Sequence, residues 1–145
     1  MALPYDYVSV QMRGGDKLAS LRYNKNVKSA TQSSSASYYI EQIEMSGVEV
    51  KNLFLLTDDY AYIDEVRRSR PEWNVFTLAR PDQSGYSNER FKMLDWGVKQ
   101  QMLLRLLCAV EICIDSLFHF GHERSCLNNI VKVSKPSSRY FGLFG

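Results

Sequence analysis

Hydrophobic and polar residues follow two different periods along this chain. Four segments consist of β-forming apolar residues in alternating or continuous runs, which is typical of buried strands: residues 7–12, 48–56, 73–78 and 114–120. Three segments repeat apolar residues every three or four positions, as amphipathic helices do: residues 35–45, 60–69 and 99–114. Residues 125–133 are predicted to form another short helix. Strands that alternate with helices in this order predict an α/β fold with a parallel sheet covered by helices.

The helix predicted over residues 99–114 has the most regular pattern. Its large apolar side chains recur at intervals of three and four, so they share one side of the helix. We expect this side to face the core. The residues concerned are Met102, Leu103, Leu106, Leu107, Val110 and Ile114.

The length of 145 residues is most simply one domain with a short tail. The alternating strands and helices end near residue 133, so the domain is predicted over residues 1–133. Residues 134–145 form the C-terminal tail, in which Pro136, Ser137 and Ser138 precede a run rich in apolar residues. That apolar run suits docking on a neighbouring chain or domain.

Charge and hydropathy exclude several classes of partner. The net charge of +2 comes from 18 basic and 16 acidic residues that are mixed along the chain, so neither a nucleic-acid tract nor a polybasic membrane anchor is predicted. No apolar run approaches the ~20 residues of a membrane span. The first residues lack the basic flank and apolar stretch of a secretory signal. The default localisation is therefore cytoplasmic.

The cysteines and histidines do not form a metal motif. Cys108, Cys113 and Cys126 are odd in number and stand among apolar residues, which favours reduced core thiols. Zinc bound by these thiols with His119 and His122 is disfavoured because no paired C-x-x-C spacing is present, so we predict no metal site. Either histidine suits a general base, although a histidine beside phenylalanines is more often a core or edge residue.

A glycine pair with flanking charges follows the first predicted strand. Arg13, Gly14, Gly15, Asp16 and Lys17 lie where ligands bind in open parallel sheets, beyond the carboxyl ends of the strands. A guanidinium can hold a phosphate through two hydrogen bonds, and glycines let backbone N–H groups approach a diphosphate. The other interpretation is a tight turn with a surface ion pair of Asp16. Neither a P-loop signature nor a G-x-G-x-x-G motif is present.

Two carboxylates follow the second predicted strand. Asp58 and Asp59 suit hydrogen bonds from the hydroxyls of a ribose or another sugar, or one of them suits a cap of the next helix. A metal role is disfavoured because the sequence marks no third oxygen ligand. The polar loop over residues 79–90 also follows a predicted strand, and we expect it to border the same ligand crevice.

The order of these motifs resembles that of a glycosyltransferase family. VQMRGGDK, residues 10–17, resembles the H-x-R-R-x-D-K motif of the α1,6-fucosyltransferase superfamily, which includes nodulation fucosyltransferases and is related to protein O-fucosyltransferases. FLLTDD at 54–59, followed by a helix and RPEW at 70–73, looks like the second motif of that family. LLRLL at 103–107, continuing to DSLF at 115–118, is similar to its third region. The resemblance covers about residues 8 to 131 and depends mainly on order and spacing.

The resemblance implies a Rossmann-like domain, one half of a GT-B glycosyltransferase, that holds GDP-fucose. Arg13 occupies the position that binds the donor β-phosphate in the family. Gln11 replaces the histidine that contacts guanine, and Gly14 replaces a second arginine. Ala109 stands where the family has an aspartate that reads guanine. Ser125 retains the position of a serine that is a candidate phosphate contact.

The chemistry that the resemblance implies needs no metal or other cofactor. Arg13 and Lys17, with backbone N–H groups, would stabilise the departing diphosphate. Asp16, Asp58 and Asp59 are candidates for positioning the donor or for the base that activates the acceptor hydroxyl. We predict Arg13 and Asp16 as the catalytic pair. The predicted donor-binding residues are Gln11, Arg13, Gly14, Gly15, Lys17, Asp58, Asp59 and Ser125.

Two functions remain open at this stage. The first is transfer of a sugar from a nucleotide sugar to a glycan or protein hydroxyl, for which an acceptor domain or a partner chain would have to face the donor site. The second is a non-catalytic binding or structural module, part of a larger assembly, that keeps the fold without turnover. Loss of the second arginine at Gly14 favours the second function, whereas Arg13 and the carboxylates favour the first.

Overall fold

The computed structural model describes residues 4, 6–13, 35–123 and 125–143. Helices and strands are numbered in chain order within these residues. They are β1 (Val8–Met12), α1 (Ala36–Met45), β2 (Asn52–Thr57), α2 (Ala61–Ser69), β3 (Asn74–Phe76), α3 (Asn88–Lys92), α4 (Trp96–Asp115), β4 (Phe118–His122), α5 (Cys126–Ser134), a 3₁₀ turn (Ser137–Arg139) and β5 (Tyr140–Leu143). None of the helices in these ranges has the length and apolar character needed to cross a membrane.

The strands form one parallel sheet in the order β3-β2-β1-β4-β5. Each neighbouring pair is parallel, so the carboxyl ends of all five strands lie along the same edge. The chain moves outward from β1 to β3 and then returns to place β4 on the other side of β1. This reversal is the topological switch point of doubly wound sheets. The prediction of a Rossmann-like α/β fold is confirmed.

The helices divide between the two faces of the sheet. On one face α1 and α2 bury Tyr39, Ile43, Ile63 and Val66 against alternate residues of β1 and β2. On the other face α4 and α5 pack Val110, Cys113 and Val131 against Phe54 and Leu56 of β2. Because β2 is covered on both sides, its central residues are all buried, which explains its continuous apolar sequence.

Several boundaries differ from the sequence prediction. The fourth strand, predicted over residues 114–120, is β4 at Phe118–His122, because α4 continues to Asp115 and Ser116 follows as its C-cap residue. β2 begins at Asn52, because residues 48–51 cross from α1 to the sheet before pairing begins. β3 ends at Phe76, and beyond it the hydroxyl of Thr77 donates to the carbonyl of Leu55 at 2.7 Å. α4 begins at Trp96, three residues earlier than predicted, with Asp95 as its N-cap residue.

The apolar residues of the predicted tail are part of the sheet. Tyr140–Leu143 is strand β5, which pairs with β4 along its whole length. The ring of Phe141 stacks on Phe120 with a centroid distance of 4.6 Å, and Leu143 is buried in the core. The apolar run over residues 140–143 therefore docks on its own domain.

The expectation that the whole apolar side of α4 faces the core is wrong. Ala109, Val110 and Cys113 are buried, but Leu103 and Leu107 are 46% and 62% exposed. Only the C-terminal half of the helix lies against the sheet. The expectation of core thiols is likewise wrong in part, because Cys108 and Cys126 are exposed.

Candidate functional site at the carboxyl edge of the sheet

One cavity of about 300 Å³ brings predicted site residues from two strands together. Arg13 follows β1, Asp58 follows β2, and these strands are parallel neighbours. Both residues therefore lie at the same edge of the sheet, and both line the cavity together with Gln11. Asp59 and Ser125 are outside this lining. We call this space the edge cavity.

The edge cavity lies between the sheet and residues 102–109 in the middle of α4. Leu56 and Leu78 contribute apolar surface from the sheet side, and Leu106 contributes it from the helix. Gln83 and Tyr86 also line it, so the loop between β3 and α3 borders the edge cavity. The predicted loop over residues 79–90 is wrong at its end, because α3 begins at Asn88. Arg105 adds a second guanidinium from α4. Arg105 is not predictable as a site residue from the sequence, because the spacing of residues along a helix does not show that a charged side chain will face a cavity.

Two tyrosines hold the backbone of Arg13. The amide of Arg13 donates to the hydroxyl oxygen of Tyr39 at 3.4 Å, and its carbonyl accepts the hydroxyl of Tyr62 at 3.1 Å. Burial raises the pKa of Tyr62 to about 12, with a further contribution from the negative charge of Asp58. Burial also raises the pKa of Tyr39, so both hydroxyls are protonated at neutral pH. The helices α1 and α2 thus fix the point where the chain leaves β1.

The carboxylates of Asp58 and Asp59 bind backbone amides. The carboxylate of Asp58 accepts the amide of Tyr86 at 2.9 Å, and its backbone carbonyl accepts the amide of Gly85, so Asp58 anchors the loop between β3 and α3. The carboxylate of Asp59 accepts the amide of Ala61 at 3.0 Å at the start of α2. The N-cap residue of α2 is Tyr60, which has no side-chain cap hydrogen bond, so the carboxylate of Asp59 supports the turn before the helix and the capping alternative is not realised.

Gln11 belongs to a buried polar network. Its side chain is 2% exposed, its amide nitrogen donates to the hydroxyl of Ser125 at 3.4 Å, and its oxygen accepts from the amide nitrogen of Asn128. Asn128 also donates to the carbonyl of His122 at 3.1 Å. The structure thus brings two predicted donor-binding residues, Gln11 and Ser125, together through hydrogen bonds to each other.

His119 continues this network as a neutral imidazole. Its Nε2 lies 2.7 Å from the side-chain oxygen of Asn128, an acceptor, so Nε2 carries the proton. Its Nδ1 then accepts from the hydroxyl of Ser9, also at 2.7 Å. Burial lowers the pKa of His119 to about 4, despite the opposing hydrogen bond to Asn128. The interpretation of His119 as a satisfied core residue is confirmed.

His122 ends β4 at the switch point. Its Nε2 lies 2.7 Å from the hydroxyl of Tyr39, the same hydroxyl that accepts the amide of Arg13. The end of β4 is thereby connected to the end of β1.

Sequence reasoning missed Asn128 and Lys135. Asn128 is the one polar residue on the buried side of α5, where Val131 follows at helical spacing, and this was the available signal. Nothing in the sequence around Lys135 indicates that it contacts α4. Its ammonium group donates to the carbonyls of Ile114 and Ser116 at the end of α4, and burial lowers its pKa.

The remaining predicted residues lie outside the described ranges. They are Gly14, Gly15, Asp16 and Lys17. Within the described ranges, no group of three or more histidine, cysteine, aspartate or glutamate side chains is arranged to hold a metal ion. Of the motif at residues 13–17, Arg13 is therefore the residue that the structure describes at the edge cavity.

Fold and cavity together define the class of this protein as a doubly wound α/β domain with a ligand-sized cavity at the carboxyl edge of its sheet. No protein-family model matches the chain, and no curated protein sequence matches it either. Any assignment of function therefore depends on the geometry of the edge cavity and on the order of the sequence motifs.

Proposed function

We propose that this chain is a glycosyltransferase-like domain that binds a nucleotide sugar, with GDP-fucose as the donor that the motif resemblance indicates. One observation carries the proposal: Arg13, which matches the phosphate-binding arginine of the family motif, lines the edge cavity together with Asp58. A cavity at the carboxyl edge of a parallel sheet is the usual location of a nucleotide in this class of fold.

The proposed chemistry is metal-independent transfer of the sugar to a hydroxyl of a glycan or protein. Arg13 would bind the diphosphate and stabilise the negative charge that develops as this group leaves. Asp16 and Asp58 are the candidates for the base that accepts the proton of the acceptor hydroxyl. A further domain or a partner chain would present the acceptor to the edge cavity.

Titration of the protein with GDP-fucose and with GDP, followed by isothermal calorimetry, tests this proposal. Replacing Arg13 by alanine removes a hydrogen-bonded charge pair with phosphate, so we expect affinity to fall about tenfold or more. Arg68→Ala is the matched control, since Arg68 is exposed on α2 and is absent from the cavity lining. This control should bind as the wild type does.

Either of two results would reject the proposal. One is the absence of GDP and GDP-fucose binding by the wild-type chain. The other is an equal loss of affinity in Arg13→Ala and Arg68→Ala, which would indicate a general charge effect. Because Arg13 contributes its backbone to the Tyr39 and Tyr62 contacts, the alanine variant keeps those hydrogen bonds.

A non-catalytic binding or structural module is the second candidate, and a specific observation favours it. The polar groups of Gln11, Asp58 and Asp59 already have hydrogen-bond partners within the protein. Residues that the motif resemblance assigns to the donor thus also stabilise the fold. Failure to bind any nucleotide, together with an intact fold by circular dichroism, would support this second candidate.

A further inference from the structure

The interior of the edge cavity is apolar. Its wall includes Phe54 and Leu56 from β2, Leu78 after β3, and Leu106 and Ala109 from α4. A ligand that buries polar groups against such a wall loses their hydrogen bonds to water without replacing them, which weakens its binding. The wall therefore favours a ligand with an aromatic or aliphatic body.

Each neutral polar side chain that lines the cavity has at least one partner. The side-chain oxygen of Gln83 accepts the amide of Arg80, and the hydroxyl of Tyr86 donates to the side-chain oxygen of Asn88. The hydroxyl of Thr57 donates to the carbonyl of Asp59 at 3.2 Å, and that of Thr77 donates to the carbonyl of Leu55. The amide of Gln11 is bound within the buried network. These groups contribute to the structure of the wall, so they add little recognition of a polar ligand.

The charged groups that line the cavity favour an anion. Arg13 comes from the end of β1 and Arg105 from α4, and within the described ranges neither guanidinium has a hydrogen-bond or ion-pair partner. Asp58 is the one carboxylate in the lining, and it accepts the amide of Tyr86. Two guanidiniums against one carboxylate leave the cavity with a positive balance.

The volume sets the size of the ligand. An apolar cavity of about 150 Å³ holds a benzene molecule. The edge cavity, at about 300 Å³, has room for a body roughly twice as large. A fused two-ring aromatic group or a chain of comparable volume matches this space.

We propose that the edge cavity binds a small amphipathic anion. The aromatic or aliphatic body lies against Leu56, Leu78 and Leu106, and the guanidiniums of Arg13 and Arg105 hold its carboxylate or equivalent anionic group. This inference goes beyond nucleotide-sugar binding, because it concerns the apolar interior and holds whether or not a nucleotide binds.

The charge requirement is tested with 2-naphthoate as the probe and its uncharged amide as the comparison, both titrated by isothermal calorimetry. We expect saturable binding of 2-naphthoate and about tenfold weaker binding of the amide, since charge-assisted hydrogen bonds are the stronger ones. Arg105→Gln should weaken 2-naphthoate binding by about the same factor. Arg68→Gln should leave it unchanged.

The location of the 2-naphthoate binding site is tested by substituting two neighbouring leucines on α4. Leu103 and Leu104 are both exposed, at 46% and 63%, but only Leu103 lines the edge cavity. Leu103→Asp places a negative charge at the cavity wall and should reduce 2-naphthoate affinity by about tenfold or more. Leu104→Asp should bind as the wild type does.

Three results would overturn this inference: no saturable binding of 2-naphthoate at millimolar concentration, equal affinity for its amide, or equal loss in Leu103→Asp and Leu104→Asp. The test is separate from that of the proposed function. Binding of 2-naphthoate without binding of GDP supports this inference and rejects the nucleotide-sugar proposal. Binding of GDP without binding of 2-naphthoate supports the nucleotide-sugar proposal and rejects this inference.

Discussion

His119 shows how a single buried side chain links stability to pH. The imidazole is fully buried, and both of its nitrogens have partners that suit the neutral form. Protonation would place a charge in the interior and would leave Nδ1–H facing the hydroxyl of Ser9. The folded state therefore resists protonation, which is why the pKa of His119 is lowered to about 4.

We predict that His119 makes the protein less stable in acid. Its folded pKa of about 4 is below the ordinary value of 6.5, so the unfolded chain binds the proton more readily. The stabilisation that comes from the neutral His119 is therefore present above about pH 6.5, and it is lost as the pH falls from there towards 4. The free energy of unfolding should decrease by roughly 3 kcal/mol from this residue between about pH 7.5 and about pH 4. Urea unfolding at both pH values measures it.

His119→Gln provides the control for this pH effect. Glutamine retains hydrogen-bonding groups but does not titrate, so the variant should lose less stability than the wild type over the same pH interval. The other titrating groups are common to both proteins. Identical pH dependence in the two proteins would show that His119 is not responsible.

Gly121 on β4 leaves space for the His119 network, and we predict that it does not tolerate a larger residue. A Cβ atom there would lie 2.6 Å from the side-chain carbon and oxygen of Asn128 and 2.9 Å from Nε2 of His119. Gly121→Ala should therefore lower the free energy of unfolding by about 2 kcal/mol, because the buried hydrogen bonds must separate. Chemical denaturation measures this change.

Gly97→Ala is the matched control. A Cβ at this position in the first turn of α4 meets no atom within 4 Å. Alanine is a better helix former than glycine, so this variant should be as stable as the wild type or more stable by up to about 1 kcal/mol. Equal stability of the two alanine variants would contradict the role assigned to Gly121.

At the scale of elements, hydrogen bonds at the ends of the helices determine the position of the site more than the spacing of apolar residues within each helix does. Lys135 follows α5, and its ammonium group binds the carbonyls of Ile114 and Ser116 at the end of α4. A cation at the C-terminus of a helix also interacts favourably with the helix dipole. This contact fixes α5 against α4, and α4 forms one wall of the edge cavity.

We predict that Lys135→Met destabilises the protein by about 1–3 kcal/mol, the usual cost of losing hydrogen bonds made by a buried charged group. Lys132→Met is the control, because the ion pair of Lys132 with Glu123 is partly exposed and contributes at most about 1 kcal/mol. Thermal unfolding of the two variants gives the comparison. A larger effect at Lys132 would refute this assignment.

At the scale of the whole molecule, strand order brings the candidate site together. Arg13 and Asp58 are 45 residues apart in sequence, yet both follow neighbouring parallel strands. Their juxtaposition is predictable from the sequence, because each residue follows a predicted strand. The apolar interior of the edge cavity is not, because the spacing of apolar residues in α4 is that of a core helix along its whole length.

The sequence by itself determined the α/β class, the order of the main elements and the position of Arg13 and Asp58 at strand ends. These features follow from local periods and from the geometry of parallel strands, which depend on nearby residues. Only the tertiary structure decided that residues 140–143 complete the sheet, that Leu103 lines a cavity, and that Gln11 binds Asn128. Such contacts join residues distant in sequence, and the period of a helix or strand does not specify which distant surface each apolar or polar side chain will meet.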